Sequence, residues 1–185
     1  TKLIDENQYC IPLKNSYYIT RAGIFTGKPF SIKPTQFEIT NGILIIGHRF
    51  MPFVDPSELP HDIKINFFGS QLEFTSIEIP VYNLIPYYQL FGEEYFSQIL
   101  SFDPANDDYD VILSDKSLNT IVNVTVVDCK NLYSFFNFKY GDRLHAVVSD
   151  WDTLNVEIVP NIKENDNPFK ETSVERKRKK WFKNA

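Results

Sequence analysis

The string Gly47-His48-Arg49-Phe50-Met51-Pro52-Phe53 sets an imidazole beside a guanidinium, directly after the apolar run Gly42-Ile43-Leu44-Ile45-Ile46. A strand that ends on these two groups could hold a site. Arg49 would grip a carboxylate or phosphate through its planar fork, and His48 would move a proton near neutral pH. Alternation along the run limits that reading. Ile43 and Ile45 fall on one face and Leu44 and Ile46 on the other, so His48 follows Leu44 and Ile46 while Arg49 follows Ile43 and Ile45. The two act as one site only if Gly47 makes a bulge. Apolar on both faces, the run reads as a central strand. A buried Arg49 needs a carboxylate partner, so a structural ion pair is its expected role.

Other groups with chemical potential do not assemble. Gly23 to Pro29 (GIFTGKP) has three residues between its glycines where a phosphate loop needs four, and Pro29 stands where Ser or Thr should follow the Lys. The cluster Asp103, Asp107, Asp108 and Asp110 lacks the calcium-loop pattern. Counted from Asp103, Asp108 replaces the turn Gly and Ser114 the bidentate Glu, so 103–110 reads as a solvated acidic turn. Cys10, His48, His61, Cys129 and His145 show no zinc-ligand spacing, and no nucleophile elbow is present. No cofactor or metal is expected, and both thiols read as small packed groups of a reduced compartment.

Charge is distributed unevenly. The chain carries 19 Lys/Arg and 24 Asp/Glu, and residues 171–185 hold six of the basic groups against two acidic ones. That leaves 13 basic and 22 acidic groups in 1–170, a net of −9 there. Such a body argues against a general phosphate-backbone binder, whose footprint is a basic face, while leaving room for a local basic patch. The tail, with Arg176, Lys177, Arg178, Lys179 and Lys180, is the one stretch suited to nucleic acid or an acidic partner. Its Trp181-Phe182-Lys183-Asn184 is similar to the W-F-x-N of a homeodomain recognition helix. The resemblance covers four residues, and the two helices that should precede it have no counterpart in the pattern. No run reaches the ~18 apolar residues of a membrane span.

The elements that must position these groups are mostly strands. Sixteen Phe and ten Tyr against one Met favour half-buried pleated surfaces. Short apolar runs cut by Gly and Pro fill 8–54. Thr40-Asn41-Gly42 reads as the turn of a hairpin between Gln36–Ile39 and Ile43–Gly47, and Gly69-Ser70 as the turn of a second. Between 83 and 102 the period changes: Leu84, Tyr88, Phe91, Tyr95 and Ile99 make a helical stripe, capped by Asn83, with Pro86 in the first turn and a break at Gly92. Strands return at 109–113 and 119–127, where Val122, Val124 and Val126 share a face. One aromatic helical turn follows at 130–138, then a turn at Gly141-Asp142. Residues 131–158 resemble a segment of the swapped-hairpin and double-psi barrels, families that often bind DNA, a role the acidic body argues against. The last hairpin has a definable register. Pairing Ala146 with Ile158 and Val148 with Val156 keeps apolar residues together, which predicts an odd loop Trp151-Asp152-Thr153 and a solvent-facing His145.

Together these features predict an α+β, β-dominated fold with antiparallel sheets in one or two small barrel-like units, covered by the helical segment at 83–102. Residues 1–160 form the compact part, with any division into lobes near 80. Residues 161–170 read as linker, and 171–185 as the start of a helix leading onward. The expected function is a non-catalytic interaction or scaffold domain of a larger cytoplasmic protein, partnered by another protein or by further domains of the same chain. An enzyme or small-ligand domain with its site near His48 and Arg49 is the alternative, and nucleic-acid binding through the basic tail a second one.

Overall fold

Residues 10–46, 48–50, 63–101, 103, 105–106 and 119–161 are described by a computed structural model. The strands are β1 (Cys10–Pro12), β2 (Tyr18–Thr20), β3 (Pro29–Ile32), β4 (Ile43–Ile45), β5 (Lys64–Phe67), β6 (Ser70–Gln71), β7 (Phe74–Pro80), β8 (Ile121–Asp128), β9 (Arg143–Asp150) and β10 (Asn155–Asn161). The helices are α1 (Arg21–Phe25), α2 (Gln36–Asn41), α3 (Ile85–Phe91), α4 (Glu93–Ser101) and α5 (Lys130–Phe136). Single 3-10 turns occupy Lys14–Ser16, His48–Phe50 and Val81–Leu84. The fold is α+β and strand-dominated, and no closed barrel forms among the described strands.

Two sheets carry the structure. One has the order β3-β9-β10-β5-β6, antiparallel except where β10 runs parallel to β5; the other has the order β4-β8-β7. The smaller sheet is buried on both faces at β4. Leu44, Ile46 and Val127 join a core with the five-stranded sheet and α5, through Phe67, Phe136, Ala146 and Ile158 among others. Ile43, Ile45, Val122, Val124 and Val126 face a second core with Tyr87, Phe96, Ile99 and Leu100 of the helices. The face assignments drawn from alternation therefore hold for β4 and β8.

β4 is nonetheless an edge strand among the described residues, not the central one that its apolar faces suggested. Burial on two faces says nothing about pairing at the two edges. The expected hairpin ahead of it is also replaced. Gln36–Asn41 is a helix, because Thr35 and Glu38 close a capping box and Gly42 ends the helix in the left-handed region at φ 69°. Thr40-Asn41-Gly42 is thus a helix C-terminus that also turns the chain.

The remaining departures are smaller. Gly92 separates α3 from α4 and Pro86 sits at the start of α3, as expected, but Asn83 lies inside a 3-10 turn and caps nothing. The β5–β6 turn is Phe68-Gly69, one residue earlier than read, with both φ positive. In the last hairpin Ala146 pairs with Ile158 and Val148 with Val156, as predicted. The loop, however, is the four residues 151–154, and a bulge at Asn155/Val156 restores the register that apolar pairing demands. Arg21–Phe25, unmarked by any apolar stripe, is a short helix capped by Thr20. Asp103 is buried rather than solvated: its carboxylate accepts from the Ser76 and Thr125 hydroxyls and from the Ala105 N–H. The strand expected at 109–113, the other three Asp of that cluster, and Gly47 lie outside the described residues.

Candidate functional site

Arg49 finds the carboxylate that its burial requires. The capping box places Glu38 in the first turn of α2, where its Oε2 accepts from the Thr35 N–H at 2.7 Å. The side chain is fully buried, and its Oε1 accepts from the Ile45 N–H at 2.8 Å and from Arg49 Nη1. Arg49 Nη1 also donates to the Ile45 carbonyl at 3.0 Å, and Nη2 to the Lys33 carbonyl at 2.7 Å. Its guanidinium carbon lies 5.8 Å from the centroid of the Tyr87 ring. The pair therefore serves both backbone groups of Ile45, while the Tyr133 hydroxyl donates to the Ile43 carbonyl at 3.1 Å. Side chains close the open edge of β4, which is how a strand with no second neighbour among the described residues can be buried.

This commits Arg49 to architecture. A guanidinium held by a carboxylate and two carbonyls has little charge left for a ligand. His48 begins the 3-10 turn beside it, and the His48 side chain is outside the described residues. Cys129 and Tyr133 lie close to the pair. Burial pushes the Cys129 thiol far up, helped by the negative charge of Glu38, and burial likewise raises Tyr133. Neither is poised as a nucleophile. His145 is exposed on the outer sheet face, where its Nε2 meets Asn161 Nδ2 at 2.8 Å. The tail residues Arg176, Lys177, Arg178, Lys179 and Lys180 lie outside the described residues. Among the described residues no group of His, Cys, Asp or Glu could hold a metal, and no helix is long and apolar enough to cross a membrane.

Above Arg49 opens a cleft of about 710 Å³. One wall is the end of β3 with Ser31 and Lys33; the other is Tyr82 of the 3-10 turn with Leu90 and Phe91 of α3. Tyr140 and Arg143, from the turn into β9, complete the rim. Nine large apolar side chains are exposed among the described residues, and four of them, Tyr82, Leu90, Phe91 and Tyr140, gather here. This is a local concentration of exposed apolar side chains rather than single scattered ones. Lys33 Nζ lies 4.8 Å above the Tyr140 ring, and Arg143 Nη1 donates to Ser31 Oγ at 3.4 Å. No carboxylate appears among the described lining residues.

Sequence patterns place Arg143 on the outer face of β9 but do not bring it to Lys33. That meeting follows from pairing: Ile32 opposes Leu144 in the β3–β9 ladder, and one step further the register sets Lys33 beside Arg143. Comparison with protein-family models, curated proteins and solved structures finds no match to this chain.

Proposed function

We propose that this chain is a non-catalytic interaction domain, and that the cleft between β3 and α3 captures an acidic, apolar-bearing segment of a partner protein or of further parts of the same polypeptide. One observation carries the reading. Residues 1–170 hold 22 acidic groups against 13 basic ones, yet the cleft lining shows Lys33, Arg143 and the paired Arg49 with no described carboxylate. A surface cleared of like charge and furnished with exposed aromatic and aliphatic groups suits a ligand bearing negative charge beside apolar side chains. No arrangement of nucleophile, base and orienting group accompanies it among the described residues, so binding is the reading it supports.

Selection of random short peptides on the immobilised chain tests this. Peptides rich in Asp or Glu next to Leu, Phe or Tyr should be enriched, and the double variant Lys33→Glu/Arg143→Glu should weaken them by about tenfold or more, as loss and reversal of two rim charges implies. Enrichment of basic or featureless peptides, or binding indifferent to the double variant, would remove the cleft from consideration.

A further inference from the structure

The geometry points to strand addition: the partner segment binds as an extended chain hydrogen-bonded to the outer edge of β3. This rests on the cleft being the binding site. The Gly27 N–H donates to the Val148 carbonyl at 2.8 Å, so Val148 turns its backbone toward β3. Backbone groups alternate along a strand, and Ala146 and Leu144 therefore face β3 as well. Their partners Phe30 and Ile32 turn inward to β9, which leaves the backbone groups of Pro29 and Ser31 directed outward. No other strand pairs with β3 among the described residues.

Three further observations agree. Pro29 sits where its missing N–H is an outward one, the position a sheet tolerates for proline. Lys33 has the parity of Ser31, and its carbonyl is already taken, by Arg49 Nη2. Ser31, Ile32 and Lys33 all line the cleft, so the end of β3 that carries the outward backbone groups borders it.

The ligand chemistry follows from the ladder. Side chains of an added strand alternate between faces, and Lys33 and Arg143 share the outer face of the sheet. Acidic residues of the incoming segment should therefore recur at every second position, with apolar residues between them turned toward Leu90 and Phe91. The four residues of β3 span about 13 Å at ~3.3 Å per residue, enough for a short linear segment. Main-chain bonds supply affinity in such complexes and the alternate side chains supply choice.

The test uses the full chain and the most enriched peptide from the selection, made synthetically. Methylating its backbone nitrogens one at a time should weaken binding by about tenfold at alternate positions, where an N–H points at β3, and little between them. Ser31→Pro should lower affinity by about tenfold more than Ser31→Ala does, with unchanged circular dichroism, because both variants lose the hydroxyl that accepts from Arg143 and only proline also removes the outward N–H. If every methylated peptide binds as well as the parent while Lys33→Glu/Arg143→Glu still abolishes binding, strand addition is wrong and the cleft reading stands. If the charge-reversed chain binds normally, both fall. A chain that sediments as a dimer and excludes the peptide puts a second copy in the groove and also overturns the inference.

Discussion

Replacing Glu38 by Leu would strand the Arg49 guanidinium in a site where its side chain is 5% exposed and its partner fully buried. Breaking one half of a buried ion pair costs about 3–5 kcal/mol, because the other charge keeps its desolvation without compensation. The Thr35 and Ile45 N–H groups also lose their acceptor, each worth about 1–3 kcal/mol when left unmade, although local relaxation recovers part of that. Glu38→Leu should therefore cost about 4–6 kcal/mol, a large share of the ~5–15 kcal/mol that domains possess. Arg49→Met leaves Glu38 with two backbone donors and should cost about 3–5 kcal/mol. The double variant removes both charges and should cost less than the sum by at least about 2 kcal/mol. Urea unfolding followed by circular dichroism reads all four corners of the cycle, provided that the slope is unchanged between variants. A Glu38→Leu loss under about 1 kcal/mol, or strictly additive losses, would refute the claim that this pair closes the edge of β4.

Two further outcomes follow from local geometry. A Cβ at Gly42 would approach Lys130 Cβ to 2.8 Å and Cα to 2.9 Å at a φ of 69°, whereas at Gly69, with φ 79°, it would meet nothing within 4 Å. Thermal denaturation should show Gly42→Ala losing about 2–3 kcal/mol against about 1 for Gly69→Ala; equal losses would mean that the contact with α5 is not tight. Stability should also fall in alkali. Because the folded-state pKa of Cys129 lies above its ordinary 9.0, the folded chain keeps a proton that the unfolded chain sheds. The contribution is complete below about pH 9 and declines by about 1.4 kcal/mol per pH unit above it, with Tyr133 adding to the slope above about pH 10. Unfolding free energies from urea titrations should fall by about 2 kcal/mol more in the parent than in Cys129→Ala between about pH 8 and about pH 10.5, and parallel curves would clear the thiol of any part in it.

What the sequence disclosed was local order and the choice of face. Alternation sorted Ile43 and Ile45 from Leu44 and Ile46, and the cost of burying Glu157 sufficed to find the β9–β10 pairing. The helical stripe with its break at Gly92 was equally plain. Pairing between distant strands was not legible, because a strand buried on two faces has the same pattern whether its edges meet strands or side chains. That is why β4 read as central. Gln36–Asn41 was misjudged for a different reason: alternating Phe37 and Ile39 suggested a strand, and the Thr35-x-x-Glu38 capping box that decided the matter carried the better signal. The ion pair was anticipated from Arg49 alone, but its partner was one of 24 acidic residues and could be chosen only by the fold. The cleft was hidden for the same reason, since Lys33 and Arg143 are 110 positions apart and meet through the β3–β9 ladder.

The two readings of Arg49, structural pair and site residue, are closer than they first seem. The walls of the cleft come from different cores, β3 from the one shared with the five-stranded sheet and α3 from the one beneath the helices. Beneath the cleft a hydrogen-bonded network joins them. Arg49 holds the Lys33 carbonyl and stacks near Tyr87 of α3, and the Tyr87 hydroxyl meets Thr35 Oγ1 at 3.1 Å. Thr35 is in turn the cap that orients Glu38. The same small network that satisfies the edge of β4 thus fixes how far Lys33 stands from α3. A groove whose width is set by a buried, hydrogen-bonded network loses less conformational freedom when a segment enters it, and affinity then depends on the contacts at the rim. Under the strand-addition proposal Arg49 is a positioning residue: it does not touch the ligand but holds the strand edge and the cation that would.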